Sequence, residues 1–291
     1  MIIYTSDWHL SSSQPENRLD NVLDAGLYKV EYVLKRAKEL GATVVVGGDI
    51  FDIPCPPYSL VNSLMQLLLK YKVPVYSIVG NHDVEGANIT LEDTAIFTLF
   101  KSGLIKKLTY LLDKDSNLEI TGVDYTKDIP SSVNAVSNFD TTKKVLVIHN
   151  ALMDVPKENE DKIPFKCISL ENFKTNANLV LCGHIHLFFC KKVGNTSFIS
   201  PGCLVRRKVN ERVLDPTLCI IDKKLSVEKI PLIKKAEFNI QAKESKSVLR
   251  GLITDTKIES SDIEESILKS GYSDSVKEFC ISEIKKVRGK E

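Results

Sequence analysis

No segment of this 291-residue chain approaches the ~18 consecutive apolar residues that a membrane-spanning helix needs. The opening residues, Met1-Ile2-Ile3-Tyr4-Thr5-Ser6-Asp7, also lack the basic start and apolar run of a secretory leader. Net charge is nearly absent: 39 Lys and Arg stand against 38 Asp and Glu, for +1 at pH 7. That balance excludes a binder held to nucleic acid by overall charge, while leaving room for a local basic surface. Seven cysteines include no Cys-x-x-Cys pair and are odd in number, which speaks against both a zinc ribbon and a disulfide framework. Free thiols in a reducing compartment are expected instead. Together these absences predict a soluble, cytoplasmic protein with no membrane contact. What is present is ordinary for a globular chain with a sizeable core: 43% hydrophobic and 26% charged residues.

Short apolar runs alternate with longer amphipathic ones at the start. Ile2 to Thr5, Val44 to Val46 and Val73 to Val79 read as strands. Between them, about Arg18 to Leu40 reads as a helix stopped by Gly41, and Leu60 to Tyr71 as a second. A β-α-β-α-β order implies a parallel sheet. Further on, strands are expected at 118–123, 144–149, 179–182, 188–193, 196–200 and 217–221, with 226–230 pairing with the last of these. The density of these strands suggests a second, partly antiparallel sheet packed on the first, with helices over both outer faces. The expected architecture is therefore a four-layer α/β/β/α sandwich over residues 1–233. A small C-terminal α+β appendage is expected over 234–291, with a strand at 238–241 and helices at about 262–270 and 275–287. This tail is charged but balanced, with 12 Lys and Arg against 11 Asp and Glu. Its helices either close the core or dock a partner.

Histidine is scarce, and its placement is the most informative feature of the chain. All five residues sit in polar turns or at strand ends: Asp7-Trp8-His9, Gly80-Asn81-His82-Asp83, His149, and Gly183-His184-Ile185-His186. Gly48-Asp49 follows the apolar run 42–46 and completes the set. Turns of this kind lie at the C-terminal edge of parallel strands, where α/β sheets hold ligands. In extended backbone Asp7 and His9 would point the same way, and so would His184 and His186. Oxygen from Asp7, Asp49 and Asn81, with nitrogen from His9, His149, His184 and His186, suits first-row divalent metals better than calcium. Seven ligands are too many for one ion and suit two that share a carboxylate, the recurring apparatus of phosphoester cleavage. His82 is left over as the acid or transition-state stabiliser, with Asp83 as the expected orienter of its ring. Each fragment alone is more often a turn or a core residue than a site, but five of them in this order rarely arise by chance.

The fragments resemble the calcineurin-like metallophosphoesterase superfamily, whose blocks D-x-H, G-D, G-N-H-D/E, H and G-H-x-H all have counterparts here. By that resemblance Asp7, His9, Asp49 and His186 would bind a first metal, and Asp49, Asn81, His149 and His184 a second, with Asp49 bridging and His82 catalytic. Within the superfamily, Thr5 to Leu10, Gly48 to Pro57 and Ser200-Pro201-Gly202 are similar to the SbcD-type DNA repair nucleases, although Cys203 stands where serine is usual. Protein Ser/Thr phosphatases carry G-D-x-V-D-R-G, whereas here Asp52 is followed by Ile53-Pro54 with no arginine, which disfavours a phosphoprotein substrate. The SbcD resemblance implies a manganese-dependent 3′→5′ exonuclease and single-strand endonuclease on DNA. It also implies a homodimer, with the helices after the second block as its contact, and an SbcC-type ATPase partner. Arg206, Arg207, Lys208 and Arg212 are candidates for phosphate contacts to DNA, a solvated loop being the equal alternative. A small-molecule phosphodiesterase or nucleotidase, and a non-catalytic scaffold, are the competing functions.

Overall fold

The computed structural model describes residues 1–86, 89–139, 142–154, 166–208, 211, 215–222, 225–230 and 237–238. The chain divides into compact units at 1–239 and 240–291. The expected helices at 262–270 and 275–287, and residues 239–241 of the expected strand, lie outside the described residues. Glu237 and Phe238, expected to open the appendage, pack in the first unit.

In chain order the first unit begins with β1 (Ile2–Thr5), α1 (Val22–Leu40), β2 (Thr43–Val46), α2 (Tyr58–Tyr71), β3 (Val75–Ser77), α3 (Ala95–Lys101) and β4 (Lys106–Lys107). The four strands pair in parallel in the order β1-β2-β3-β4. Then follow β5 (Tyr110–Asp113), β6 (Leu118–Val123), β7 (Lys143–His149), β8 (Leu152–Met153), β9 (Ile168–Ser169), β10 (Leu179–Gly183), β11 (Phe188–Val193), β12 (Thr196–Pro201), β13 (Thr217–Ile221) and β14 (Leu225–Lys229). The antiparallel hairpin of β13 and β14 attaches to β1 and completes a first six-stranded sheet. A second runs β11-β12-β10-β7-β6-β5, parallel in its middle and antiparallel at both edges.

Alternation along the strands builds the layers. Ile3, Val44 and Val46 pack with Val30, Val33 and Leu34 of α1 and Leu64 and Leu68 of α2 on the outer face of the first sheet. Ile2, Tyr4 and Val45 point the other way, against Ile120, Val145, Val147, Leu181 and Ile199 of the second sheet. The expected layered α/β sandwich of two sheets is thus present. Leu146, Ile148, Val180, Cys182 and Phe198 on the far face of the second sheet pack against Ala135, Leu152, Leu170, Phe173 and Ala177. Among the described residues these come from loops and the short β8-β9 pair, so apolar side chains from irregular segments cover that face.

Two departures from the expected elements have local causes. Helix α1 starts at Val22, because the Asn21 side chain accepts the N–H groups of Leu23 and Asp24 and so ends the non-helical approach from Arg18. The short β4 and β5, on either side of Leu108, carry too little pattern to announce themselves. The other end of α1 follows the sequence: Gly41 adopts φ 60°, and its N–H returns to Ala37 and Lys38.

Candidate metal centre

The first-sheet turns after β1, β2 and β3 carry Asp7 and His9, Asp49, and Asn81 to Asp83, while β7 and β10 of the second sheet end at His149 and Gly183-His184. The C-terminal edges of both parallel strand sets therefore meet at one place. Asp7 and His9 do not reach it in extended backbone, as alternation would have it. Both adopt left-handed φ values, 52° and 42°, with the wholly buried Trp8 between them. Asp49 (φ 52°) and His184 (φ 76°) are left-handed too. Strain of this kind in non-glycine residues costs on the order of 1–3 kcal/mol each and persists where surrounding structure enforces it. Here Trp8 donates to Thr5 and the backbone N–H groups of Asp7 and His9 to the carbonyls of Gly48 and Asp49. At Gly80 the requirement is space: a Cβ there would collide with the carboxylate and backbone of Asp49.

All seven expected ligand residues come together in two groups. In one, Asp7, His9 and His186 present ligand atoms within 4.8 Å of one another; in the other, Asp49, His149 and His184 do so. Asn81 joins the second, its Oδ1 2.9 Å from His184 Nδ1 and 3.2 Å from His149 Nε2. Asp49 Oδ2 faces both groups, 3.5 Å from His9 Nε2 and 3.2 Å from His149 Nε2.

Carbonyl partners place hydrogen on two of the outward ring nitrogens. A carbonyl only accepts, so His149 Nδ1, 2.5 Å from Gly47 O, and His82 Nδ1, 2.8 Å from Asp52 O, both carry hydrogen. His186 Nδ1 meets the Glu211 carboxylate at 2.7 Å, and His9 Nδ1 lies 3.5 Å from Asp52 Oδ1. The Nε2 atoms of His9 and His186 face each other at 3.0 Å on the inner side of the site. Burial resists charge on His149, yet the Asp49 carboxylate and Asp7 push its pKa up to about 10. Burial and the His149 charge push His184 down to about 4. The donor set of carboxylate oxygens, an amide oxygen and imidazole nitrogens fits divalent first-row ions.

Two expectations need correction. Asp83 does not orient the His82 ring; it is buried and accepts backbone N–H groups of Asp49, Ile50, Phe51 and Gly80, tying the second and third turns together. Arg206 does not face solvent. It is 4% exposed and bound to Glu237 at 2.6 Å, which withdraws it from any DNA surface. Arg207 does stand at the rim, with its guanidinium 3.1 Å from Asp52. Lys208 is exposed, and Arg212 lies outside the described residues. The sequence reading missed Asp52 and Glu211 as supports for ring orientation. Asp52 was read only for the arginine missing after it, and Glu211, in the loop after β12, had no spacing to signal it.

A family model described as calcineurin-like phosphoesterase matches residues 1–188. The chain belongs to that family. Its members are divalent-metal-dependent phosphoester hydrolases, and the two ligand groups are the corresponding feature here. Over 229 residues the chain is 24% identical to the DNA double-strand break repair protein Mre11 of Methanococcus maripaludis, covering 72% of this chain and 58% of that protein. It thus spans a little over half the length of that curated relative. Among solved structures, a Thermus thermophilus protein aligns at 14% identity and TM-score 0.46, over 79% of this chain and 98% of the other. A putative 5′-nucleotidase from Staphylococcus aureus aligns at 14% identity and TM-score 0.44, over 87% of this chain and 58% of the other. No described helix is long and apolar enough to cross a membrane.

Proposed function

We propose that this phosphoesterase is an SbcD-like DNA nuclease with a two-ion site, cutting phosphodiester bonds as a 3′→5′ exonuclease and single-strand endonuclease. The observation that carries the ion pair is the position of Asp49, whose Oδ2 faces His9 and His149 at once. Asp7, His9, Asp49 and His186 would hold the first ion, and Asp49, Asn81, His149 and His184 the second. Manganese suits this mixed oxygen and nitrogen set. Such ions, when bound, supply a nucleophile at neutral pH and neutralise charge on the phosphate oxygens.

The protein's own part lies in His82. With Nδ1–H given to the Asp52 carbonyl, its Nε2 is free to hold a proton for the departing oxygen, and its ring stands edge-on to His9 with centroids 4.7 Å apart. Arg207, at the rim beside Asp52, and the exposed Lys208 would meet backbone phosphate in this reading. The DNA substrate is supported by the similarity to Mre11. An SbcC-type ATPase partner, a homodimer and cytoplasmic residence are part of the same proposal and rest on the resemblance to SbcD-type nucleases.

The test is to incubate the full chain with manganese and 3′-labelled duplex DNA, single-stranded DNA and bis-p-nitrophenyl phosphate, with and without the ATPase. DNA degradation that disappears in His82→Ala is expected. Turnover of the small ester with DNA left intact would turn the reading to a small-molecule phosphodiesterase or nucleotidase. Inertness toward every substrate in both arms would make the chain a scaffold.

A further inference from the structure

We infer that Glu237 is a positioning residue for the first ion group, clamping the loop after β12 that in turn holds His186 and Asp52. It rests on the two-ion reading above, and on a buried cluster that this reading does not use. Glu237 is 3% exposed and is ringed by cations: Lys29 Nζ at 2.9 Å, Arg18 Nη1 at 3.1 Å, and Arg206 Nε and Nη2 at 2.9 and 2.6 Å. Arg18 also pairs with the buried Asp20 at 2.8 Å. Charges in such a setting are poor sources of stability, because their desolvation offsets the attraction between them. What they supply is definite placement, and here they bring together three distant stretches of chain: the approach to α1, α1 itself and the loop after β12. Arg18 Nη1 reaches the Arg206 carbonyl at 2.7 Å, and Leu19 N–H the Glu237 carbonyl at 2.9 Å, which fixes backbone as well as side chains.

From Arg206 the contacts continue without a break to the first ion group. Leu204 N–H donates to the Asp7 carbonyl at 3.0 Å. The backbone N–H groups of Arg207 and Lys208 donate to Glu211 Oε2 at 2.6 and 2.9 Å, and Glu211 Oε1 holds His186 Nδ1. The Arg207 side chain grips Asp52, which lies against His9. The second group is built differently. His149 is held by Gly47, and Asn81 and His184 by the turns after β3 and β10, so among the described residues this loop supports only the first group. Neutralising Glu237 removes the carboxylate that Lys29, Arg18 and Arg206 share, and with it the Glu237 grip on the loop after β12.

The test uses the full chain carrying Glu237→Gln. In the metal-free protein, the ring-nitrogen resonances of His9 and His186 are expected to shift while those of His149 stay in place. In a manganese titration by calorimetry, one of two ions weakens tenfold or more, the scale seen when a ligand's outer partner is lost, and the other is unchanged. Arg206→Lys, which keeps the charge but loses the forked grip, gives the same pattern in milder form and serves if Glu237→Gln does not fold. Leu64→Ala, a cavity under α2 remote from this loop, lowers the melting temperature yet leaves both ions and all histidine signals as in the wild type. Histidine signals and both affinities unchanged in Glu237→Gln and Arg206→Lys would overturn the inference. So would a uniform weakening of both ions that Leu64→Ala reproduces. A wild-type chain that takes up fewer than two ions would instead sink the two-ion reading, while shifted His9 and His186 signals would still show the clamp.

Discussion

Asp83 and His82 are neighbours in one turn, and their hydrogen-bond partners give them separate tasks. The imidazole of His82 donates outward to a carbonyl and keeps its second nitrogen toward the site, while Asp83 collects four backbone N–H groups and touches no ring. Substitutions should therefore separate activity from stability. His82→Ala is expected to lose a factor of roughly 10²–10⁴ in kcat, the usual share of a positioned acid, with melting temperature and metal uptake unchanged. Asp83→Asn turns an amide NH2 against buried donors and is expected to cost about 1–3 kcal/mol of stability, measured by denaturant unfolding. An Asp83→Asn chain that is fully stable and only slower would return Asp83 to the role of ring orienter. The ligands themselves were legible because metal chemistry needs specific residue types at strand ends. Glu211 and Arg206 were not, since their roles are set by what they touch: His186, 25 residues back, and Glu237, 31 residues on.

The turns that end β1, β2, β3, β7 and β10 do the positioning, and the strands behind them are held by ordinary core packing. Apolar alternation in 2–5 and 43–46 was enough to place these strands and their layers, because one face meets helices and the other meets a second sheet. Alternation says nothing about a residue once the chain leaves the sheet, which is why Asp7 and His9 were assigned to extended backbone when they are left-handed. Loops such as those carrying Leu170 and Phe173 also bury apolar side chains on the far face of the second sheet without any period to announce it. Helix α1 offers a test in which stability and site are uncoupled. Asn21→Ala removes a cap to two N–H groups and is expected to cost about 1 kcal/mol, read by thermal unfolding, with manganese uptake unaltered. A loss of ion binding in that variant would mean that α1 transmits more to the site than its packing implies.

Across the whole first unit, two sheets from separate stretches of sequence contribute to one centre: Asp7, His9, Asp49 and Asn81 from the first, His149, His184 and His186 from the second. The sandwich is thus part of the chemistry, because neither sheet alone holds a complete ligand group. The family and its phosphoester chemistry follow from the matched residues 1–188. The proposed DNA substrate, dimer and ATPase partner belong to surfaces and to residues beyond that match. The most direct test of the central claim is a crystal of the full chain grown with manganese, with anomalous scattering recorded at the manganese edge. Two peaks roughly 3.5–4 Å apart, bridged by Asp49 and flanked by the two histidine groups, are the predicted result. A single peak, or ions bound away from Asp49, would contradict it.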